Sequence, residues 1–276
     1  MKNLIKTAVS LILVFSAAAG ALSSCTLGQE EEVEITILTQ VDESTEGLVT
    51  YVNSLIDKYY ETKPGSDWNK KYSVSDGSVK FRIAGTDETN PVIDSVNLLA
   101  PQVKKFILNG DFGDMSGENE YGEEPAASIL SRFDPELIPD ATIEEYNNSE
   151  RYSKIVFYLF ELPENFFEEG AEIPDSFIDP ETIDAVFGLI DTDKIVTEFA
   201  SMKDVLVVSG AQASYKNARV EFLVDRSNDE LLNVRYYCYA DVTLSCAGAG
   251  TIAEAGDMDC IFSLESKTEF DFDWEE

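Results

Sequence analysis

The clearest pattern in the chain lies in its C-terminal third, where apolar and polar positions alternate with a period of two. In "ARVEFLVD" (218–225), Val220, Phe222 and Val224 alternate with Arg219, Glu221 and Asp225. Arg226-Ser227-Asn228-Asp229-Glu230 supplies turn chemistry. Beyond it Leu232, Val234, Tyr236, Cys238, Ala240, Val242, Leu244 and Cys246 form one apolar line, and Arg235, Tyr237, Tyr239 and Asp241 fall on the opposite one. A last run carries Cys260, Phe262, Leu264, Phe270 and Phe272. Successive strand side chains point to opposite faces. The pattern therefore predicts a three-stranded antiparallel meander with one face buried.

Upstream the period changes. Leu48, Val52, Leu55, Ile56 and Tyr59 recur at three and four, which predicts a helix from Thr45 that ends at Pro64-Gly65. Asn90-Pro91 opens a second helix, with a kink at Pro101, and Asp179-Pro180 a third. A short helix is expected from Asp193 to Ala200. "YSVSDGSVKFRI" (72–83) predicts a strand, or a hairpin around Asp76-Gly77. "SKIVFYLFE" (153–161) is apolar on both faces and predicts a covered strand. Residues 109–127 are rich in glycine and acids and predict a loop. Together these elements predict an α+β fold, with helices packed on one face of a curved antiparallel sheet and a C-terminal β-meander.

The first residues follow neither period. Met1-Lys2-Asn3-Leu4-Ile5-Lys6 is a short basic head, Ala8 to Leu22 is an uncharged apolar run, and Ser23-Ser24-Cys25 follows. That order describes a secretory signal, and the run is too short for a stable spanning helix. Leu22-Ser23-Ser24-Cys25 resembles the bacterial lipobox. The resemblance implies that the Cys25 sulfur receives a diacylglyceryl group and becomes the first mature residue. Acyl burial at roughly 0.8 kcal/mol per CH₂ then holds the protein in the cell membrane, on its extracytoplasmic side. Residues 1–24 are thus a lipoprotein signal peptide, 25–44 an acidic tether and 45–276 a single α+β domain. Within the tether "VEITILTQV" alternates as an edge strand does. Fully extended, residues 26–44 reach at most about 65 Å.

Charge and composition narrow the function classes. Losing Lys2 and Lys6 with the leader takes the net charge from −33 to −35. Charge of that sign repels nucleic acid and anionic lipid head groups. Histidine is absent, which removes Ser-His-Asp triads, Cys-His pairs and every His-containing zinc site.

The candidate chemistry is sparse. Cys246 and Cys260 face each other if the hairpin turn is centred near Ala253. They are either a disulfide closing a 15-residue loop, worth roughly 3 kcal/mol, or two buried thiols packed as small apolar residues. Gly248-Ala-Gly250-Thr-Ile-Ala253 matches a dinucleotide fingerprint, but it joins two antiparallel strands and lacks the helix that fingerprint needs. In "NGDFGDMSGENEYGEE", Asn109, Asp111, Asp114, Glu118 and Glu120 are hard oxygen donors that suit weak Ca²⁺ binding. Asp114 stands where an EF-hand needs glycine, and a solvated acidic loop is the simpler expectation. No other cofactor is indicated. Arg235, Tyr237 and Tyr239 form a candidate ligand face on the polar side of the sheet. Lys58, Lys63, Lys70, Lys71, Lys80 and Arg82 cluster around Trp68 and are expected to be ordinary surface cations.

Two stretches of the body carry a further resemblance. "ETKPGSDW" and "VEFLVDRSNDELLNVRYY" resemble a group of clostridial extracytoplasmic lipoproteins that join an early helix ending in Lys-Pro-Gly to late amphipathic strands. That group brings no catalytic residues. More distantly, helices on a curved half-barrel sheet look like envelope lipoproteins that hold acyl chains. The expectation is a lipid-anchored domain that binds a ligand or envelope partner without catalysis. A structural or adhesive envelope protein is the alternative, and a carboxylate-dependent hydrolase a more distant one.

Overall fold

Capping residues place the helices where the periodicity puts them. Ser44 is the first N-cap, its hydroxyl oxygen accepting the Gly47 N–H at 3.1 Å, and α1 (Thr45–Thr62) buries Leu48, Val52, Leu55, Ile56 and Tyr59. Gly47 is required there, since a Cβ would lie 2.4 Å from the Asp42 carbonyl oxygen. The chain leaves α1 through Lys63 at φ 51°, and Pro64 stops its continuation. β1 (Gly65–Val74) and β2 (Lys80–Ile83) follow. Asn90 caps α2 (Pro91–Val96) through two 2.9 Å bonds from the Val92 and Ile93 N–H groups. A 3₁₀ turn (Asn97–Leu99) then interrupts the helix just before Pro101, and α3 (Ala100–Asn109) resumes it.

β3 (Met115–Asn119), β4 (Asp140–Tyr146), β5 (Ser149–Tyr158) and β6 (Phe177–Ile178) come next. Asp179 caps α4 (Pro180–Phe187) and Asp191 caps α5 (Thr192–Phe199). Three long strands close the chain: β7 (Leu206–Asp225), β8 (Glu230–Gly248) and β9 (Asp257–Asp273). The computed structural model describes residues 37–75, 77–109, 115–119, 130–166 and 177–274, with the backbone alone at 108, 109 and 115–119. The leader, Cys25 and the tether up to residue 36 lie outside them. Among the described residues no helix is long and apolar enough to cross a membrane.

The described strands form one antiparallel sheet in the order β3-β1-β9-β8-β7-β5-β4, with β2 on β9 and β6 on β7. The predicted meander is its centre. Two expectations are corrected. Residues 72–83 make no hairpin: β1 pairs with Leu264–Asp273 of β9 and β2 with Met258–Ile261, so the two lie end to end along β9. The 109–127 loop contains β3, paired from Ser66↔Asn119 to Lys70↔Met115. An edge strand takes its hydrogen bonds from its neighbour, which local Gly and Glu content does not signal.

β7 has 20 residues, far beyond the usual strand length, and it stays on the core only by bending. Register shifts between Val208/Gly210, Lys216/Arg219 and Leu223/Val224 supply the curvature. At the last of these Leu231, not Leu232, lies opposite Val224 and is buried, which corrects the apolar line at its first member. The five α-helices of the described residues all pack on the face carrying Phe222, Val234, Phe262 and Phe270. α1 meets β4 and β8, α4 and α5 meet β7, α2 meets β2, and α3 meets β1. Phe133, Phe157 and Phe222 interlock edge to face with centroids 4.9–5.5 Å apart.

Two asparagines substitute for missing strand partners. Asn97 accepts the Phe81 N–H at 2.7 Å and donates to the Phe81 carbonyl at 3.1 Å. Asn53 does the same for Phe133, at 2.8 and 2.9 Å. Asn97→Ala leaves both polar groups of a 1% exposed residue without a side-chain partner, and a loss of about 1–3 kcal/mol in urea unfolding is expected. An exposed substitution such as Leu98→Ala should cost under ~0.5 kcal/mol.

Candidate functional site

The outer face of the sheet gathers the three residues expected to form a ligand face, and it engages each of them. Arg235 donates to Glu269 at 2.5 Å, and Tyr239 donates its hydroxyl to Glu265 at 3.0 Å. The Tyr237 ring lies between the Arg219 guanidinium, 4.2 Å from its centroid, and the Lys267 ammonium at 5.7 Å. Cross-strand register makes these contacts, since Tyr237 stands opposite both Arg219 and Lys267, and Arg235 opposite both Glu221 and Glu269. Burial alone would raise the Glu269 carboxyl, but hydrogen bonds from Lys267, Arg235 and Asn233 outweigh it and bring it to about 2. Lys216–Asp241 at 2.9 Å and Arg219–Glu221 at 2.9 Å extend the ladder. The face is therefore a neutralised network.

The thiols sit inside. Cys246 stands opposite Met258 and Cys260 opposite Leu244, so the two are diagonal neighbours rather than a facing pair. Diagonal positions lie about 7–8 Å apart, beyond the reach of a bridge without backbone movement. Cys238, Cys246 and Cys260 are all free and buried. Burial pushes the Cys238 thiol up to about 12, against a small pull from Lys70, and pushes Cys246 to about 12 as well. None of them is a thiolate nucleophile at neutral pH.

Of the expected calcium ligands, Asp111, Asp114 and Glu120 lie outside the described residues, and Asn109 and Glu118 are described by backbone alone. Asn109 ends α3 and Glu118 lies opposite Asp67 in the β1–β3 pair. Among the described residues no group of three or more acids or cysteines could hold a metal ion.

The inward face holds a feature that the sequence pattern passed over. Along β9 the apolar series breaks between Leu264 and Phe270, where Ser266 and Thr268 point inward. Thr268 stands between Lys70 and Tyr236, and Ser266 between Tyr72 and Cys238. Three strands, β1, β9 and β8, thus share a polar patch under the helices. Above it lies a cavity of about 60 Å³, closed from the other side by residues 186–190, where α4 ends at Gly188 with φ 71°. Phe187 packs edge-on to Tyr236 at 5.7 Å, and the Tyr215 hydroxyl accepts the Ile190 N–H at 2.9 Å. Lys70 lies over the Tyr72 ring at 5.1 Å, on the inward side of β1 and not on the surface as expected. A buried water needs about 10–15 Å³, so the cavity has room for a few waters or one small functional group. An acyl chain does not fit.

A glycoside hydrolase needs a carboxyl held high as its acid. Asp225 and Glu269 shift the other way: burial would raise Asp225 too, but bonds from Arg151 and Ser227 bring it down. A depressed carboxyl stabilises the fold above its unfolded pKa, and that contribution disappears as pH falls through the folded one. For Glu269 the window runs from 4.5 down to about 2. Glu269→Gln should therefore lower the melting temperature at pH 7 and flatten its fall across that window. Parallel melting curves of both proteins from pH 7 to 2 test this, and identical slopes would refute it.

No family model, no curated protein and no solved structure matches the chain.

Proposed function

We propose that this chain is a lipid-anchored extracytoplasmic protein, held at the cell membrane through Cys25, whose α+β domain binds a small ligand without transforming it. The motif Leu22-Ser23-Ser24-Cys25 behind a basic head and apolar run supports the address. One observation carries the binding: a contiguous polar patch, Lys70, Tyr236, Ser266 and Thr268, faces a cavity on the side of the sheet that the described helices cover. A structural or adhesive protein would gain nothing from polar groups turned inward, because desolvating them costs stability.

A clamp at one end of the sheet fits an anchored domain. Leu38 donates its N–H to the Arg226 carbonyl at 3.2 Å, and Arg226 donates to the Thr39 carbonyl at 2.6 Å. Asp229 accepts from the Thr39 hydroxyl at 2.5 Å and from the Tyr51 hydroxyl at 2.6 Å. These bonds hold Leu38 and Thr39 to the β7–β8 turn, and residues 26–37 between Cys25 and the clamp span at most about 43 Å.

Cys25→Ser should move the protein from the detergent phase to the aqueous phase on Triton X-114 partition. Retention of the variant in detergent would sink the anchor. Native mass spectrometry of the purified full-length chain should reveal a co-bound small molecule, and an unadorned mass from several preparations would count against binding. Asp229→Ala should open the 37–43 segment to proteolysis while the rest of the chain stays resistant; equal cleavage of both proteins would refute the clamp.

A further inference from the structure

We propose that the cavity beneath the sheet is a carboxylate subsite, with Lys70 as counter-ion and the hydroxyls of Ser266 and Thr268 as hydrogen-bond donors. The inference rests on the ligand-binding reading and names the class of ligand. The charge bookkeeping of the sheet points to it. The basic residues of β7, β8 and β9, namely Lys216, Arg219, Arg235 and Lys267, all pair with a carboxylate on the outer face. Lys70 is turned to the inward face and has no carboxylate partner among the described residues. In a chain with 53 acidic residues a partner is easily supplied. Its absence leaves a cation facing a cavity, a position that an anionic ligand completes.

Four observations narrow the anion. The Ser266 and Thr268 hydroxyls flank Lys70 by strand register and make no hydrogen bond among the described residues, so both are available as donors. Burial raises the Cys238 thiol and the Tyr215 and Tyr236 phenols, so these three stay neutral, and with Lys70 as its cation the cavity matches a monoanion. The opposite wall is apolar, formed by Phe187 and Ile190, and suits a hydrocarbon body better than a hydrated phosphate. A volume of about 60 Å³ limits the buried part to roughly four to six non-hydrogen atoms at the scale of one water per 10–15 Å³. Leu189, 49% exposed beyond Gly188, stands at the mouth.

The test is calorimetric titration of the full-length chain in non-ionic detergent with sodium butyrate, butyramide and sodium phosphate. Butyrate should bind, butyramide should bind roughly tenfold more weakly or not at all, and Lys70→Met should lose roughly tenfold in butyrate affinity. Without ligand, Lys70→Met should raise the melting temperature by about 2–4 °C, because it removes a cation from the helix-covered face. A fall in melting temperature would make Lys70 a structural residue and overturn the proposal. Equal binding of butyrate and butyramide, or unchanged butyrate affinity in Lys70→Met, would overturn the carboxylate assignment while ligand binding stands. Preference for phosphate would replace the organic acid with an inorganic anion and overturn it as well. If none of the three probes binds, the subsite falls, and the native mass of the purified chain decides separately whether the domain binds anything.

Discussion

Everything in this molecule depends on the register of β7, β8 and β9. A strand has a side-chain period of two, so a slip of one residue along these long strands would exchange the whole core for the whole ion ladder. Phe222, Val234 and Phe270 sit in one row of the core, and Glu221, Arg235 and Glu269 sit in the adjacent row outside. Each row specifies the other. The apolar row excludes water on one side, and on the other a slip would set basic residues against apolar ones. Curvature is part of the same constraint. The three register shifts between β7 and β8 bend the sheet over the helices, and they re-aim single residues such as Leu231 inward.

The acidity of the chain explains why the outer face looks as it does. At a net charge of −33 a two-sided sheet with a solvent face would repel itself if its polar positions followed the average composition. Opposite residues on neighbouring strands are about 5 Å apart, close enough for like charges to destabilise the pair. The sheet instead sets its cations against carboxylates: Arg235 and Lys267 on Glu269, Arg219 on Glu221, Lys216 on Asp241. Each exposed pair is worth little alone. Arranged as a network around Tyr237, they let β7, β8 and β9 lie side by side. This is also why Arg235, Tyr237 and Tyr239 serve the sheet before they serve any ligand.

The fold was legible wherever pattern and cap agreed. The helix stripes of α1 and α4, the cap at Asn90 with the break before Pro101, and the alternation of the meander all fall where the spacing puts them. Long-range pairing was not legible. β3 forms because β1 offers it an edge, and β1 and β2 lie apart because each pairs with a different stretch of β9. The facing of Cys246 and Cys260 failed for a related reason: the 3₁₀ turn at Gly250–Ala255 moves the hairpin register by two residues from a turn centred at Ala253. Spacing along one strand fixes the face on which a residue lies, whereas the connection decides which residue stands opposite.

The cavity is the place where local rules and global fold disagree most. A lysine at an inward strand position, two hydroxyl residues inside an apolar series, and two tyrosines on inward strand positions beneath the helices are each costly on their own. Register brings them together: Lys70 meets Thr268, Thr268 meets Tyr236, and Tyr72 meets Ser266. Scattered polar substitutions in a core would be penalised one by one, and nothing would collect them around one space. Their convergence on a single cavity, roofed by the end of α4, argues that the stability lost there is retained for a purpose. In the sequence the trace of it is small but specific. The gap between Leu264 and Phe270 is filled by Ser266 and Thr268, and a lysine two residues after Trp68 shares the inward side of β1 with it.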